Sequence, residues 1–408
     1  MWTRRETRAL VAVAAQFALN GFLLASWVPR LPELRDQVGV TTGRMGLLMG
    51  LGATGGLVMS AAVGHLVSRF GTRRTLTVFG MLFGLALVVV GLTTNPWVLM
   101  VGLGLISAFD VPVDVAMNMQ GSWLSAMRPV PVLNRLHGLW SLGMLLGGGV
   151  ASVVAFAQVP VHVHFVGVGI AVMATVAVVS RGLLPDDHPA VMAVSEATVT
   201  ASAREPTETS GRSLWQGPMV LAGLFLLAGL FSVGVEAVAF DWAAFRLADD
   251  FGAEAGLAGL AFVAVACGQA VGRLFGDSVQ ARVGAERLGH FSAAASALGL
   301  VIASFAPFAA LVPIGYGLAG LGIATLVPSV YGRAAEHPTS PGQMLGALSG
   351  GIRIALLLVT VIIGRLIQGG NSVGSAVALV GLTSLVGFMA VIRAIHTLDR
   401  SNEAASAR

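Results

Sequence analysis

The chain has 408 residues, of which only 11% are charged (24 Lys+Arg, 20 Asp+Glu) and 55% are hydrophobic, with a mean hydropathy of +0.83. A soluble domain carries about 25% charged residues, so this chain lacks the charge to cover a water-facing surface, and its apolar composition is the opposite of a disordered one. Every basic residue is Arg; without Lys the chain cannot build a Walker phosphate loop or a Schiff base, which excludes phosphate-loop ATPases, pyridoxal enzymes and retinal pumps.

Apolar stretches of about 20 residues, enough to cross a bilayer, are expected near residues 9–29, 44–67, 74–94, 97–122, 135–157, 161–183, 217–245, 255–279, 287–306, 309–332, 343–367 and 372–395. They predict an all-α integral membrane protein with twelve transmembrane helices. The first stretch follows Arg4, Arg5 and Arg8 and runs into Trp27, Pro29 and Arg30 without a small-residue cleavage site, so a retained helix is expected rather than a removed signal peptide. Arg69, Arg73, Arg74, Arg128, Arg135, Arg181, Arg282, Arg287, Arg333 and Arg393 fall on the same side as the N-terminus, whereas Arg30, Arg35, Arg44 and Arg246 fall opposite. By the positive-inside rule both termini are expected to be cytoplasmic, with the chain multi-pass in the inner membrane.

Residues 184–216 change character, with Pro185-Asp186-Asp187 followed by a Thr/Ser/Ala/Glu stretch. They predict a solvated cytoplasmic linker between a first six-helix bundle over 1–183 and a second over 217–396, with a tail at 397–408. The halves read as repeats: Trp27 answers to Trp242, Arg69-Phe70-Gly71 to Arg282-Val283-Gly284, and Val111-Pro112 to Val327-Pro328, all at nearly one offset. Parallel six-helix repeats place a substrate site at their interface near the bilayer midplane.

Residues 64–76 read Gly64-His65-Leu66-Val67-Ser68-Arg69-Phe70-Gly71-Thr72-Arg73-Arg74-Thr75-Leu76. This resembles the major facilitator superfamily signature G-x-L-a-D-r-x-G-r-k-x-x-l at Gly64, Leu66, Arg69, Gly71, Arg73 and Leu76, with Ser68 in the place of its Asp. The resemblance implies the major facilitator fold and a loop that governs conformation through charge contacts between helix ends. Arg273 and Asp277, in Gly272-Arg273-Leu274-Phe275-Gly276-Asp277, occupy the related region of the second half and are candidates for that contact. Asp110-Val111-Pro112-Val113-Asp114-Val115-Ala116-Met117-Asn118-Met119-Gln120-Gly121, with Leu136-His137-Gly138-Leu139-Trp140-Ser141, resembles the YbjJ-type branch, distantly similar to fucose and other sugar permeases.

A charge in hydrocarbon costs about 2.5 to 3.5 kcal/mol by insertion scales, so charges inside the spans are functional candidates. Asp110, Asp114 and Asn118 fall at about 0°, 40° and 80° around helix four, one polar stripe that must face a cavity or a partner helix. Two carboxylates one turn apart repel, which favours proton uptake by one of them. Arg353 lies roughly 18 Å into helix eleven at 1.5 Å per residue; it is expected to pair with Asp110, Asp114 or Glu236, or to bind an anionic substrate group. Asn20 of helix one either lines the pocket or ties helices together. Glu236 of helix seven is a buried candidate, and Asp241 with Trp242 an outer gate or an interface pair, Trp27 and Trp242 reading first as aromatic-belt residues. His137 reads as a solvated or capping side chain, and His162 and His164 lack the neighbours of a metal site. Gly315-Tyr316-Gly317-Leu318-Ala319-Gly320 fits a dinucleotide fingerprint but sits in an apolar helix without a preceding strand, so it reads as helix packing.

The resulting expectation is a secondary active transporter that moves a small polar or anionic metabolite by alternating access, coupled to protons, with neither cofactor nor metal, no nucleic-acid partner and a monomeric state. A proton-driven multidrug efflux carrier and a transporter-like receptor are the competing expectations.

Overall fold

The computed structural model describes residues 3–128, 132–189, 191–192, 217–335, 337 and 341–406, and almost all of them are helical. Helix α1 (Arg4–Trp27) passes through a 3-10 turn (Val28–Arg30) into α2 (Leu31–Gln37), because Pro29 and Pro32 lack the N–H that an unbroken helix uses. There follow α3 (Thr42–Phe70), α4 (Thr72–Leu92), α5 (Pro96–Ala126), α6 (Leu133–Phe156) and α7 (Val161–Val179). The second half supplies α8 (Gly217–Phe251), α9 (Ala255–Val283), α10 (Ala285–Phe305), α11 (Leu311–Ile323), α12 (Leu326–Ala335), α13 (Pro341–Gln368) and α14 (Val373–Ser406). Counting α1 with α2 and α11 with α12 as single passes, 12 spans among the described residues are long and apolar enough to cross a membrane.

Local sequence explains the ends and breaks. Asn95 caps α5 by accepting from the N–H of Trp97 and Val98, with Pro96 at the first helical position where its missing N–H costs nothing. The two prolines that answer to each other in the repeat act differently. Pro112 lies inside an uninterrupted α5, whereas Pro328 is the third residue of α12, after the chain has left the helix at Ala324 and Thr325. Large apolar side chains such as Val58, Leu274 and Val386 stand more than two-thirds exposed, a surface suited to lipid tails and not to water.

The helices pack as two units. The first contains, among the described residues, 3–27, 37–39 and those of 51–192, with α1 on α6, α4 on α5 and α4 on α7. Its core gathers Phe17, Val113, Ala116, Met117 and Leu136. The second contains Val28–Asp36, Val40–Gly50 and the described residues from 217 onward, built on α8 against α13 and α14, and on α11 against α9 and α10. The packed units therefore differ from the sequence halves, since Val28–Asp36 and Val40–Gly50 belong with the second.

Backbone geometry reveals the repeat more sharply than residue identity. Gly39 and Gly252 have φ of 67° and 66°, and Gly71 and Gly284 have 77° and 86°, each pair 213 positions apart. Gln158 (φ 56°) and Gly370 (φ 94°) close corresponding helices 212 positions apart. Helices α3 and α9 each have 29 residues, and α4 and α10 each have 21. The end of α4 is tied by Gln37 Nε2, which donates to the carbonyls of Gly91 and Thr93, and the end of α10 by Arg246, which donates to those of Ala303, Ser304 and Ala306.

Candidate functional site

In the first unit, close helix crossing builds the polar cluster. A Cβ on Gly143 would stand 2.1 Å from the carbonyl oxygen of Ala18, one on Gly147 2.3 Å from that of Phe22, and one on Gly21 2.2 Å from that of Trp140. Without those Cβ atoms the backbones of α1 and α6 meet directly. That contact brings the Trp140 indole to Asn20, whose Oδ1 accepts from Trp140 Nε1 at 2.7 Å. The other end of the amide reaches α5, where Asn20 Nδ2 donates to Asp110 Oδ1 at 2.9 Å.

Asn20 is 3% exposed, while Asp110, Asp114 and Asn118 are half-buried. Asn118 Nδ2 donates to the backbone carbonyl of Asp114 at 2.9 Å and to its Oδ1 at 3.1 Å. The stripe on α5 thus divides: Asp110 turns to α1, and Asp114 pairs along its own helix. The crevice beside Asn20, which Gln16 and Val113 also line, holds about 10 Å³ and is far too small for a metabolite. His137 is exposed, with its ring edge-on to Phe17 at 5.2 Å.

The Gly64–Leu76 stretch forms the turn between α3 and α4. Gly71 needs its φ of 77° to reverse the chain, and the exposed Arg69 lies over the Phe70 ring at 5.7 Å. Arg73 Nε donates to the carbonyl of Ser180 at 3.0 Å. Sequence reasoning missed two residues here. Asp186 Oδ1 accepts from the Thr72 N–H at 2.8 Å, and the fully buried Gln120 donates to Thr72 Oγ1 and to the carbonyl of Leu184 while accepting from the Leu184 N–H. Leu184 and Val191 are therefore buried in the first unit, and Asp186 caps α4 where simple solvation was expected. The chain gives a signal for this, an acidic residue available to an uncapped helix start. Residues 193–216 lie outside the described residues. A recess of about 410 Å³ opens beside the turn, lined by Val67, Ser68, Val115, Met119 and Asp186 among others.

In the second unit, Glu236 Oε1 accepts from Gln269 Nε2 at 2.7 Å and lies 3.9 Å from the Arg273 guanidinium. Gln269 and Arg273 stand one turn apart on α9, a spacing visible in the sequence although Gln269 was not singled out. Glu236 thus pairs with Arg273, and among the described residues no ion pair joins it to Arg353, which is half-buried on α13. Asp241 is half-buried, whereas Trp242 is 0% exposed, its ring centroid 5.3 Å from that of Phe245 and its edge over Gly46. An aromatic-belt position does not fit that burial. Trp27, by contrast, is half-buried at the end of α1. The side chain of Asp277 lies outside the described residues.

Further ion pairs come from arginines that the sequence assigned to loops. Arg246 pairs with Asp250 at 2.8 Å, and Asp250 in turn accepts from the N–H groups of Val373 and Gly374 at the start of α14. Arg35 pairs with Asp249 and donates to Thr42 Oγ1 at 2.6 Å, while Thr42 donates to Asp249. The Gly315–Gly320 stretch packs helix on helix, with Gly315 against α10 and Gly320 against the Val265 carbonyl.

Comparison with known proteins places this arrangement. Residues 12–242 match the model of the Major Facilitator Superfamily. The chain is 28% identical over 329 residues to the uncharacterized transporter y4wD of Sinorhizobium fredii (81% of this chain, 83% of that one), and 26% identical over 330 residues to membrane protein MosC of Rhizobium meliloti (81% and 76%). Among solved structures, the nucleoside transporter NupG superposes with a TM-score of 0.71 at 13% identity, covering 97% of this chain and 99% of that one. A bacterial homolog to the human lysosomal transporter Spinster, inward-facing and unoccupied, gives 0.70 at 12% identity and 98% of each chain. With the family model spanning more than half of its length, this multi-pass chain belongs to the Major Facilitator Superfamily and is a membrane transporter, not an enzyme.

Proposed function

We propose that the protein is a proton-coupled secondary active transporter for a small polar or anionic metabolite, working by alternating access in the inner membrane as a monomer with both termini cytoplasmic. The observation that carries this reading is Asp110, a half-buried carboxylate inside an apolar helix that accepts a hydrogen bond from the buried Asn20. A carboxylate kept at that depth costs free energy that packing alone does not repay, and Asp114 one turn away makes sharing a proton favourable. Glu236 and Arg353 are the second unit's candidates for substrate contact in this reading, and the half-buried Arg353 is suited to an anionic group. The likeness of the Asp110–Gly121 stretch to sugar permeases makes a hydroxylated cargo the first class to try.

The test is a thermal-shift panel of metabolites on the purified protein, since a ligand stabilises the folded state it binds, followed by uptake of the stabilising compound into proteoliposomes. Accumulation under an inward acid gradient, collapsed by a protonophore, is expected. Asp110→Asn and Asp114→Asn should each cut gradient-driven accumulation at least tenfold while leaving counterflow exchange. Uptake that ignores the gradient and survives Asp114→Asn overturns the proposal.

A further inference from the structure

We infer that Trp140 is a positioning residue that holds Asp110 as a hydrogen-bond acceptor by fixing the direction of the Asn20 amide. This inference rests on the proton-coupling reading above and adds to it the residue that sets when the proton binds.

The argument follows from donor and acceptor chemistry. An indole N–H can only donate, so the group of Asn20 that meets Trp140 Nε1 at 2.7 Å must be the amide oxygen. The amide nitrogen then faces α5, and its N–H donates to Asp110 Oδ1 at 2.9 Å. The chain Trp140 to Asn20 to Asp110 therefore runs one way. An ionised Asp110 fits the end of that chain, and a neutral one fits only with its proton on Oδ2. Were the indole N–H absent, the amide of the buried Asn20 could turn and offer its oxygen to a protonated Asp110, which would stabilise the neutral acid.

The surroundings leave few competing charges within the unit. On α5 itself, Asp114 stands one turn away and accepts from Asn118. The packed neighbours carry no titratable residue at the same depth: none on α1 from Ala9 to Trp27, on α3 from Met45 to Gly64, on α4 from Thr75 to Leu92 or on α6 from Gly138 to Phe156. Arg135 and His137 lie before Trp140 on α6 and are exposed. The glycine crossing of Gly21, Gly143 and Gly147 keeps the indole in place, so the direction of the amide is built into the packing of α1 on α6.

The experiment is a pH titration of the full-length protein in lipid nanodiscs by infrared difference spectroscopy, reading the carboxylic-acid stretch that Asp110→Asn removes. Trp140→Phe deletes the indole N–H and keeps an aromatic ring; the midpoint of that band is expected to rise by about one pH unit, a tenfold gain in proton affinity. Asn20→Leu should give a similar rise, and the double variant no more than either alone, because both act through one hydrogen bond. Asn20→Leu also covers the case in which Trp140→Phe does not fold. A band removed by Asp110→Asn whose midpoint stays in place in Trp140→Phe or in Asn20→Leu, or rises additively in the double variant, overturns the positioning role alone. If Asp110→Asn removes no titrating band in any background, the proton reading of Asp110 falls and the positioning role falls with it.

Discussion

At the scale of single residues, the tightest constraints lie where charges are withdrawn from water with every partner supplied. Arg246 is the clearest example, its side chain 7% exposed, spending its donors on the carbonyls of Ala303, Ser304 and Ala306 and on Asp250. Removing one member of such a pair leaves the other uncompensated, which typically costs 3–5 kcal/mol. Arg246→Met is accordingly expected to cost about that much, read as a large fall in the thermal unfolding midpoint in detergent. Asp250→Asn should cost less, because the amide oxygen can still accept from one of the two N–H groups, Val373 or Gly374, that the two carboxylate oxygens now hold separately. Equal losses from the two substitutions would mean that Arg246 serves the ends of α10 and α14 independently. The Asn20 amide illustrates a different constraint, since its two ends serve two helices and neither Trp140 nor Asp110 betrays the link in sequence.

At the scale of helices, small residues decide which elements can touch. The reciprocal contact between α1 and α6 recurs between α8 and α13, where a Cβ on Gly229 would stand 2.2 Å from the Leu348 carbonyl oxygen and one on Gly351 1.8 Å from that of Leu226. No side-chain rotation relieves a clash with backbone, so Gly351→Ala must push the two helices apart, at about 1–3 kcal/mol. Gly149→Ala is the control on α6, since a Cβ there meets nothing within 4 Å and alanine is the better helix former by up to about 1 kcal/mol. Melting of the two variants in one detergent checks the pair: a lowered midpoint for the first and an unchanged or raised one for the second. The Gly315–Gly320 stretch was legible in the sequence as helix packing, but which glycines touch backbone was not, because that depends on the rotation of each helix about its axis.

At the scale of the molecule, the proposed role of the half-buried Arg353 makes a prediction about the class of cargo. Neutralising it as Arg353→Gln is expected to weaken binding of anionic metabolites by tenfold or more and to leave neutral polyols within about twofold, a split that thermal-shift affinities can read. Equal losses for both classes would assign Arg353 to the scaffold. The number and approximate extent of the spans were determined by the sequence, because bilayer thickness and hydropathy fix span length, and the repeat survives in the glycines at 71 and 284. The spacing of Asp110, Asp114 and Asn118 on α5 read as one stripe, whereas in the structure Asp110 turns to α1 and Asp114 pairs with Asn118 on its own helix. What tertiary structure decided was the identity of each partner: Asn20 with Trp140 for Asp110, Gln269 with Arg273 for Glu236, Asp186 for the start of α4, and the assignment of Val28–Asp36 and Val40–Gly50 to the second unit. Periodicity tells which face of a helix is polar, but a hydrogen bond needs the crossing point and rotation of a second helix, and those are set by close packing between residues far apart in the chain.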